Sequence, residues 1–304
     1  MNLLISGAWQ QASEYLNVLD KQHCVEFLQF EKDNLPCDPQ WVEGIIGNGI
    51  FIYHPIEIFV NLKYIQLTSA GFDRVPLDYV NNHCITINNA RGVYSIPMAE
   101  FALAGVLQIY KGTQSFLESQ HNMLWQKNRN LREIAGKNVA IIGCGSVGTA
   151  CAKRFKAFDA KVTGVDIVCR ADPNYDDMKD LAFIDSVLSV SDIIVITLPL
   201  TNETRGLFNH KRLKLLKDNS VIINIARGAV INSNDLIEEL RLNRISAVLD
   251  VFEEEPLDSN SELWGMQNVI ITPHNSFVGD GNGNRLSELI LSNLRKYTEI
   301  NIKE

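Results

Sequence analysis

Three polar residues in the second half of this 304-residue chain have side chains that can transfer a proton and bind an anion. Arg227 follows the apolar segment VIINIA, Glu255 comes shortly after ISAVLDVF, and His274 follows VIITP. If the three segments are neighbouring parallel strands, their carboxyl ends lie at one edge of a sheet. We therefore expect the three side chains to meet at that edge.

The three residue types suit the interconversion of a 2-hydroxy acid and a 2-keto acid. Loss of hydride from the hydroxyl-bearing carbon requires a base that titrates near neutral pH, and His274 can serve as that base. Glu255 would orient the ring and stabilise its protonated form. Arg227 offers a planar, permanently charged fork for a substrate carboxylate and carbonyl. Each residue alone is explained by a turn, a surface charge or an ion pair, so the hypothesis depends on their convergence.

A βαβ pattern in the middle of the chain can position these residues against a cofactor. The sequence predicts a buried strand over 139–142, a helix over roughly 147–158 and a second strand over 161–165. Asp166 ends the second strand, about twenty residues after the turn between strand and helix. This order of elements is typical of a dinucleotide-binding unit.

The turn of that unit reads G-x-G-x-x-G, with Gly143, Gly145 and Gly148 at the glycine positions. Gly143 permits the tight turn, Gly145 lets the backbone approach a pyrophosphate, and Gly148 lets the helix lie close to the strand. The amides at the helix start, at Ser146 and Val147, would face the phosphates with the helix dipole. Because flavin and S-adenosylmethionine folds use similar turns, the motif alone leaves the ligand class open.

The acid after the second strand bears on the choice of nicotinamide cofactor. Asp166 would accept hydrogen bonds from an adenosine ribose and repel a 2′-phosphate, which favours NAD over NADP. Arg170 is the opposing signal, since an arginine near that strand can pair with a phosphate. With the acid retained, the sequence predicts NAD.

Length and composition bound the remaining possibilities. The chain is long enough for two domains, and its 46% hydrophobic and 21% charged residues are typical of a globular protein. A net charge of −8 argues against nucleic acid or an anionic membrane as the main partner. No long apolar run, leader or metal-type cysteine spacing occurs, so we expect a reducing, cytoplasmic location, no membrane span and no metal. The six cysteines are Cys24, Cys37, Cys84, Cys144, Cys151 and Cys169.

Alternation of apolar runs and helical patterns predicts parallel, doubly wound sheets in both halves of the chain. The first half lacks a phosphate-binding turn, but in SAGFD backbone amides at Ala70 and Gly71 can hold a carboxylate. For that piece alone, a plain strand-to-loop exit is the favoured interpretation. A long helix is predicted over 96–121 as a bridge between domains. The other predicted helices cover 12–19, 181–188, 211–216, 233–242 and 285–297.

The sequence resembles the D-isomer-specific 2-hydroxyacid dehydrogenases over nearly its whole length. The motifs SAGFD, PMAEFALAGVL, GKNVAIIGCGSVG, LPLTNETRGLF, NIARGAVI, LDVFEEEPL and ITPH occur in the family's order. The resemblance implies an α/β fold in which a Rossmann-type NAD-binding domain, 96–276, is inserted into a flavodoxin-like substrate domain, 1–95 plus 277–304. It also implies a homodimer and a cleft that closes over cofactor and substrate.

The resemblance assigns roles to individual residues. Arg227 would bind the substrate, Glu255 would be the partner carboxylate and His274 the acid/base. Asp250 would contact the nicotinamide carboxamide, and Ala70 and Gly71 the substrate carboxylate. The remaining cofactor contacts would be Leu198 and Pro199 on the adenosine side and Ile225 and Ala226 on the ribose side.

Two other functions compete with a reductase of small 2-keto acids. Some members of the family are NAD-sensing regulatory proteins, in which closure presents a surface to a partner, and the intact trio disfavours that role here. A methyltransferase is a third possibility, but its fold would supply neither the trio nor the paired hinges. The side chain of the substrate and the physiological direction are not legible in the sequence.

Overall fold

The computed structural model describes residues 1–301, which form two compact units. Unit 1 comprises residues 1–94 and the described residues from 279 onward, and unit 2 comprises residues 95–278. Unit 2 is thus inserted, in sequence, between the two segments of unit 1. The expected division into a substrate domain, 1–95 plus 277–304, and a cofactor domain, 96–276, stays a prediction.

Unit 1 is built on a parallel sheet of five strands in the order β2-β1-β3-β4-β5. Strand order 2-1-3-4-5 is that of flavodoxin-like folds. The central strands β1, β3 and β4 are short, mostly apolar runs buried on both faces, while the edge strands β2 and β5 are partly exposed. The N-terminal segment contributes β1 (Asn2–Ser6), α1 (Ala12–Leu19), β2 (Cys24–Leu28), β3 (Gly44–Gly47), α2 (Ile50–Tyr53), β4 (Tyr64–Leu67), α3 (Leu77–Asn82) and β5 (Thr86–Asn88).

Unit 2 is built on a parallel sheet of seven strands in the order β12-β11-β10-β9-β6-β7-β8. Counted from its own first strand, six of these follow the dinucleotide-binding order 3-2-1-4-5-6, and β12 extends the sheet. Its elements are α4 (Ser95–Tyr110), α5 (Thr113–His121), β6 (Asn138–Ile142), α6 (Ser146–Lys156), β7 (Lys161–Asp166), β8 (Asp177–Asp180), α7 (Ile184–Leu188), β9 (Ile193–Ile196), α8 (His210–Leu215), β10 (Val221–Asn224), α9 (Ser233–Arg241), β11 (Ser246–Leu249) and β12 (Val269–Ile271).

Helix α10 (Asn282–Asn301) returns the chain to unit 1. Its side chains Leu286, Ile290 and Leu294 are buried with residues of β1 on one face of the five-stranded sheet. The opposite face of that sheet carries a second buried cluster. Two covered faces on each sheet confirm the predicted fold class, two doubly wound α/β domains.

The structure corrects several predicted elements. The single helix expected over 96–121 is two helices, because Gly112 adopts a left-handed conformation (φ +61°) between α4 and α5. The last helix begins at Asn282, so Gly283 lies inside it and not in a loop. Strand β8 was not predicted. The apolar segment IEIFVNL, residues 56–62, contains a short 3₁₀ turn and no strand. The helix expected over 181–188 begins as a 3₁₀ turn before α7.

Two observations concern the chain's environment. Among the described residues, no helix has both the length and the hydropathy to cross a membrane. All six cysteines are free, and Cys24, Cys84 and Cys169 are exposed. The metal-free expectation stays a prediction, although within residues 1–301 no cluster of three or more metal-ligating side chains occurs.

Candidate active site

The three candidate catalytic residues follow three adjacent strands of unit 2. Arg227 lies three residues after β10, Glu255 follows β11, and His274 lies three residues after β12. Parallel pairing joins β10 to β11 and β11 to β12, with Asn224 opposite Leu249 and Leu249 opposite Ile271. The strands therefore end together, and all three segments leave the same edge of the sheet.

Glu255 and His274 are in direct contact. His274 Nδ1 lies 2.8 Å from Oε2 of Glu255, and Oε1 of the same carboxylate accepts a hydrogen bond of 3.0 Å from the backbone amide of Phe252. Because a carboxylate only accepts, the neutral imidazole carries its proton on Nδ1 and leaves Nε2 as an acceptor. The two side chains are 44% and 36% exposed, so both can be reached by a small ligand.

Arg227 is half-buried at the end of the neighbouring strand. Its Nη1 donates to the carbonyl of Ala226 at 2.8 Å, which fixes one side of the guanidinium. The turn beneath it is held by Asn224, the last residue of β10. Asn224 Oδ1 accepts from the Ala226 amide (3.1 Å), and its Nδ2 donates to the Arg227 carbonyl (2.9 Å).

Sequence reasoning missed Asn224, which is 1% exposed and makes both of those hydrogen bonds. The signal was present, because a single polar residue closes an otherwise apolar strand, VIIN. A buried amide there needs partners, and the nearest backbone is the turn that carries the arginine.

Asp250 directly follows β11 and is 0% exposed. Its Oδ1 accepts from the Thr272 hydroxyl and the Asn275 amide, both at 2.7 Å, and its Oδ2 accepts from the Ser276 amide at 3.0 Å. The predicted contact of Asp250 with a nicotinamide carboxamide stays a prediction. In this structure both carboxylate oxygens bind the segment that carries His274.

The glycine turn lies at the point where the strand order of the seven-stranded sheet reverses, between β6 and β9. Gly143 has φ +99°, and a Cβ there would lie 2.9 Å from the Leu198 amide nitrogen. A Cβ on Gly148 would lie only 2.0 Å from the carbonyl oxygen of Gly143. Both glycines are therefore required by the protein's own packing.

Gly145 differs, because no atom lies within 4 Å of the position its Cβ would take. It precedes α6, whose first turn has no side-chain cap, and Ser146 and Val147 are half-buried at the helix start. Backbone amides without a side-chain cap at the N-terminus of this eleven-residue helix can bind an anion. The turn thus fits the pyrophosphate of a dinucleotide, with open space where the backbone would approach it.

Asp166 ends β7 and contacts the same turn. Its Oδ2 accepts a 2.6 Å hydrogen bond from the Cys144 amide, and its Oδ1 accepts one of 3.3 Å from Val168. Burial raises the pKa of the Cys144 thiol to about 11, so this side chain stays uncharged at neutral pH. Of these two side chains at the glycine turn, Asp166 is therefore the one that carries a negative charge.

The four other residues predicted to contact the cofactor follow β9 and β10. After β9, Leu198 is buried and Pro199 is exposed, while Ile225 and Ala226 are buried after β10. These four share the sheet edge of the glycine turn. Their contacts with a cofactor stay predictions.

Ala70 and Gly71 lie in unit 1, shortly after β4. Their carbonyl oxygens accept hydrogen bonds from Asn89 Nδ2 at 2.6 Å and from Ser69 Oγ at 3.1 Å, respectively. These bonds shape the exit of the strand, and the predicted role of both backbones toward a substrate carboxylate stays a prediction.

Comparison with known proteins adds an independent observation. Residues 103–276 match the model of the family described as D-isomer specific 2-hydroxyacid dehydrogenase, NAD binding domain. The match spans the glycine turn and all three candidate catalytic residues.

Individual relatives cover most of the chain. A glyoxylate reductase of Thermofilum pendens is 34% identical over 245 residues, which are 77% of this chain and 71% of the relative. A hydroxypyruvate reductase of Blautia hydrogenotrophica is 28% identical over 90% of this chain and 89% of its own. A D-isomer specific 2-hydroxyacid dehydrogenase from Xanthobacter autotrophicus, solved with NADPH and MES, has a TM-score of 0.80 at 29% identity, covering 97% of this chain and 94% of that one.

Proposed function

Because the chain belongs to the D-isomer-specific 2-hydroxyacid dehydrogenase family, we propose that it interconverts a small 2-keto acid and its D-2-hydroxy acid with NADH and NAD. The 2.8 Å contact between His274 Nδ1 and Glu255 Oε2, at the sheet edge that also holds the glycine turn, carries this proposal. It supplies an oriented acid/base next to a predicted dinucleotide site.

The protonation state of the His274 ring sets the direction in which the proton moves. When bound, the reduced cofactor supplies a hydride to the carbonyl carbon of the keto acid. Protonated His274 gives its Nε2 proton to the carbonyl oxygen, so that a hydroxyl forms as the oxygen gains negative charge. Glu255 keeps Nδ1 protonated throughout and stabilises the imidazolium before transfer. In the reverse direction, Nε2 of the neutral ring takes the hydroxyl proton.

Arg227 is the proposed substrate anchor. Its guanidinium can donate two parallel hydrogen bonds to a carboxylate, or to one carboxylate oxygen and the adjacent carbonyl. The carboxylate of a 2-keto acid lies next to the reacting carbon, so this grip also fixes the carbonyl for attack. The Asn224 side chain supports Arg227 by hydrogen bonding to the turn beneath it.

NAD is the proposed cofactor in preference to NADP. The support is Asp166, a carboxylate at the end of β7 that would repel a 2′-phosphate and accept from a ribose hydroxyl. A relative solved with NADPH shows that members of this fold also bind the phosphorylated cofactor, so the preference needs a direct measurement. The cytoplasmic location and the homodimer implied by the resemblance also stay predictions.

A panel of keto acids tests the proposal. Glyoxylate, hydroxypyruvate, pyruvate and longer apolar 2-keto acids are each supplied with NADH and with NADPH, and nicotinamide absorbance is followed. Oxidation of NADH by at least one of them, with formation of the D-hydroxy acid, supports the proposed function. NADH binding without turnover of any member would indicate the NAD-sensing regulatory protein instead.

A further inference from the structure

The segment that carries His274 is fastened to one buried carboxylate. Asp250 accepts from Thr272 on one side of the histidine and from Asn275 and Ser276 on the other. Its backbone carbonyl also accepts the amide of His274 itself, at 2.8 Å. Asp250 therefore accepts four hydrogen bonds from the turn between Thr272 and Ser276 and holds it in place.

The backbone of His274 is in a conformation that needs such support. Its φ is +51°, in the left-handed region that is unfavourable for residues with a Cβ. A strained conformation persists only when the surrounding contacts determine it. The bonds to Asp250 come before, at and after the strained residue, so they are placed to determine it.

We propose that Asp250 is a positioning residue, whose buried carboxylate holds the 272–276 turn so that His274 meets both Glu255 and the substrate carbonyl. The inference rests on the proposed function, in which His274 transfers the proton. It adds a role to the predicted contact of Asp250 with the nicotinamide carboxamide, because a carboxylate has about four acceptor sites and the turn uses three of them. With 0% exposure and three donors already on its two oxygens, Asp250 acts here through the turn.

Asp250→Asn tests the role with almost no change of volume. One carboxylate oxygen becomes an NH₂ group that meets a backbone N–H, so at least one donor at Asn275 or Ser276 loses its acceptor. The turn loosens and the imidazole moves away from its place. Because a displacement of about 1 Å can cost roughly a hundredfold in rate, we expect kcat to fall by about ten- to a hundredfold. NADH affinity reports the predicted carboxamide contact and is measured separately from the position of the imidazole.

Thr272→Val is a milder variant that removes only the hydroxyl donor to Oδ1 and keeps the side-chain shape. It should lower kcat in the same direction but by less, about two- to fivefold, because the two backbone amides keep their bonds to the carboxylate. If Asp250→Asn fails to fold, Thr272→Val carries the test. Asp258→Asn is the matched control, because this exposed acid hydrogen bonds within its own turn, to Asn260; it should leave all readouts unchanged.

Two measurements separate positioning from the alternatives. NADH affinity is measured by fluorescence titration, and the imidazole ¹⁵N signals of His274, assigned by their loss in His274→Ala, report the tautomer without any turnover. We expect a dominant Nδ1–H tautomer in the wild type and a mixture in Asp250→Asn. A tenfold weaker NADH affinity with unchanged imidazole signals would instead assign Asp250 to cofactor binding and overturn the proposal.

The imidazole signals also keep this inference separate from the proposed function. If the wild type reduces none of the keto acids, the proposed function fails, but a tautomer shift in Asp250→Asn still supports positioning of His274. Unchanged His274 signals in both Asp250→Asn and Thr272→Val overturn the positioning role whatever the activity.

Discussion

His274 Nδ1 lies 2.8 Å from Glu255 Oε2, although 19 positions separate the two residues in the sequence. The contact exists because β11 and β12 are parallel neighbours whose ends coincide. It defines which ring nitrogen is protonated in the neutral state, and therefore which one accepts a proton in the proposed reaction. The predictions that follow test this pair and the groups around it.

Glu255→Gln removes the negative charge while keeping the size of the side chain. A neutral amide replaces the carboxylate that holds His274 by Nδ1, so the ring loses its fixed orientation and counter-charge and kcat for keto-acid reduction falls. Because both side chains are more than a third exposed, water screens the pair, and we expect a decrease of roughly tenfold. Steady-state kinetics with Glu254→Gln as the control measure this, since Glu254 is a neighbouring exposed acid. Equal rates for the two variants would remove Glu255 from the mechanism.

Arg227→Lys replaces a bidentate fork by a point charge. The substrate carboxylate keeps its electrostatic partner but loses its fixed orientation, so KM for the keto acid should rise by roughly tenfold and kcat should fall as well. Arg241→Lys is the control, because Arg241 forms an exposed pair with Glu262. An unchanged KM in Arg227→Lys would contradict the role of substrate anchor.

Two glycines of the turn should respond differently to a methyl group. In Gly145→Ala the new Cβ meets no protein atom within 4 Å, so Tm should stay unchanged while NADH affinity falls by about tenfold or more. In Gly148→Ala the Cβ would lie 2.0 Å from the Gly143 oxygen, so overpacking should cost about 1–3 kcal/mol and several degrees of Tm.

Thermal unfolding and NADH titration check this pair of variants. Gly265→Ala serves as the control, because its Cβ also meets open space and Gly265 lies outside the turn. If Gly145→Ala binds NADH as tightly as Gly265→Ala does, no phosphate approaches the backbone at Gly145.

Asp166→Asn tests the choice of cofactor. The amide oxygen can still accept from Cys144, so the turn keeps its hydrogen bond, while the charge that would repel a 2′-phosphate is lost. We expect affinity for NADPH to rise relative to NADH by about tenfold or more. Titration of both cofactors with the wild type and the variant measures the ratio, and an unaltered ratio would show that Asp166 does not select against NADP.

Much of the two-domain α/β fold could be predicted from the sequence. Buried parallel strands appear as apolar runs, and the glycine turn has a fixed G-x-G-x-x-G pattern. Strand β8 could not be predicted, because DMKD is polar and pairs only through its backbone at the edge of the sheet. The end of α4 before Gly112 could not be predicted either, since an isolated glycine is tolerated inside a helix and can also mark its end.

The candidate site divides in the same way. The placement of Arg227, Glu255 and His274 at one sheet edge could be predicted, because the apolar strands before them are parallel neighbours. The supporting roles of Asn224 and Asp250 could not, since a polar residue at a strand end can face a ligand or a neighbouring loop. Only the three-dimensional arrangement shows that both side chains bind loop backbone.

The central claim is that His274 transfers the proton, and His274→Ala tests it most directly. With the keto acid that the wild type reduces best, kcat of the variant should be about 10²- to 10⁴-fold lower, while NADH affinity stays near the wild-type value. A variant that reduces the same keto acid at the wild-type rate would contradict the account.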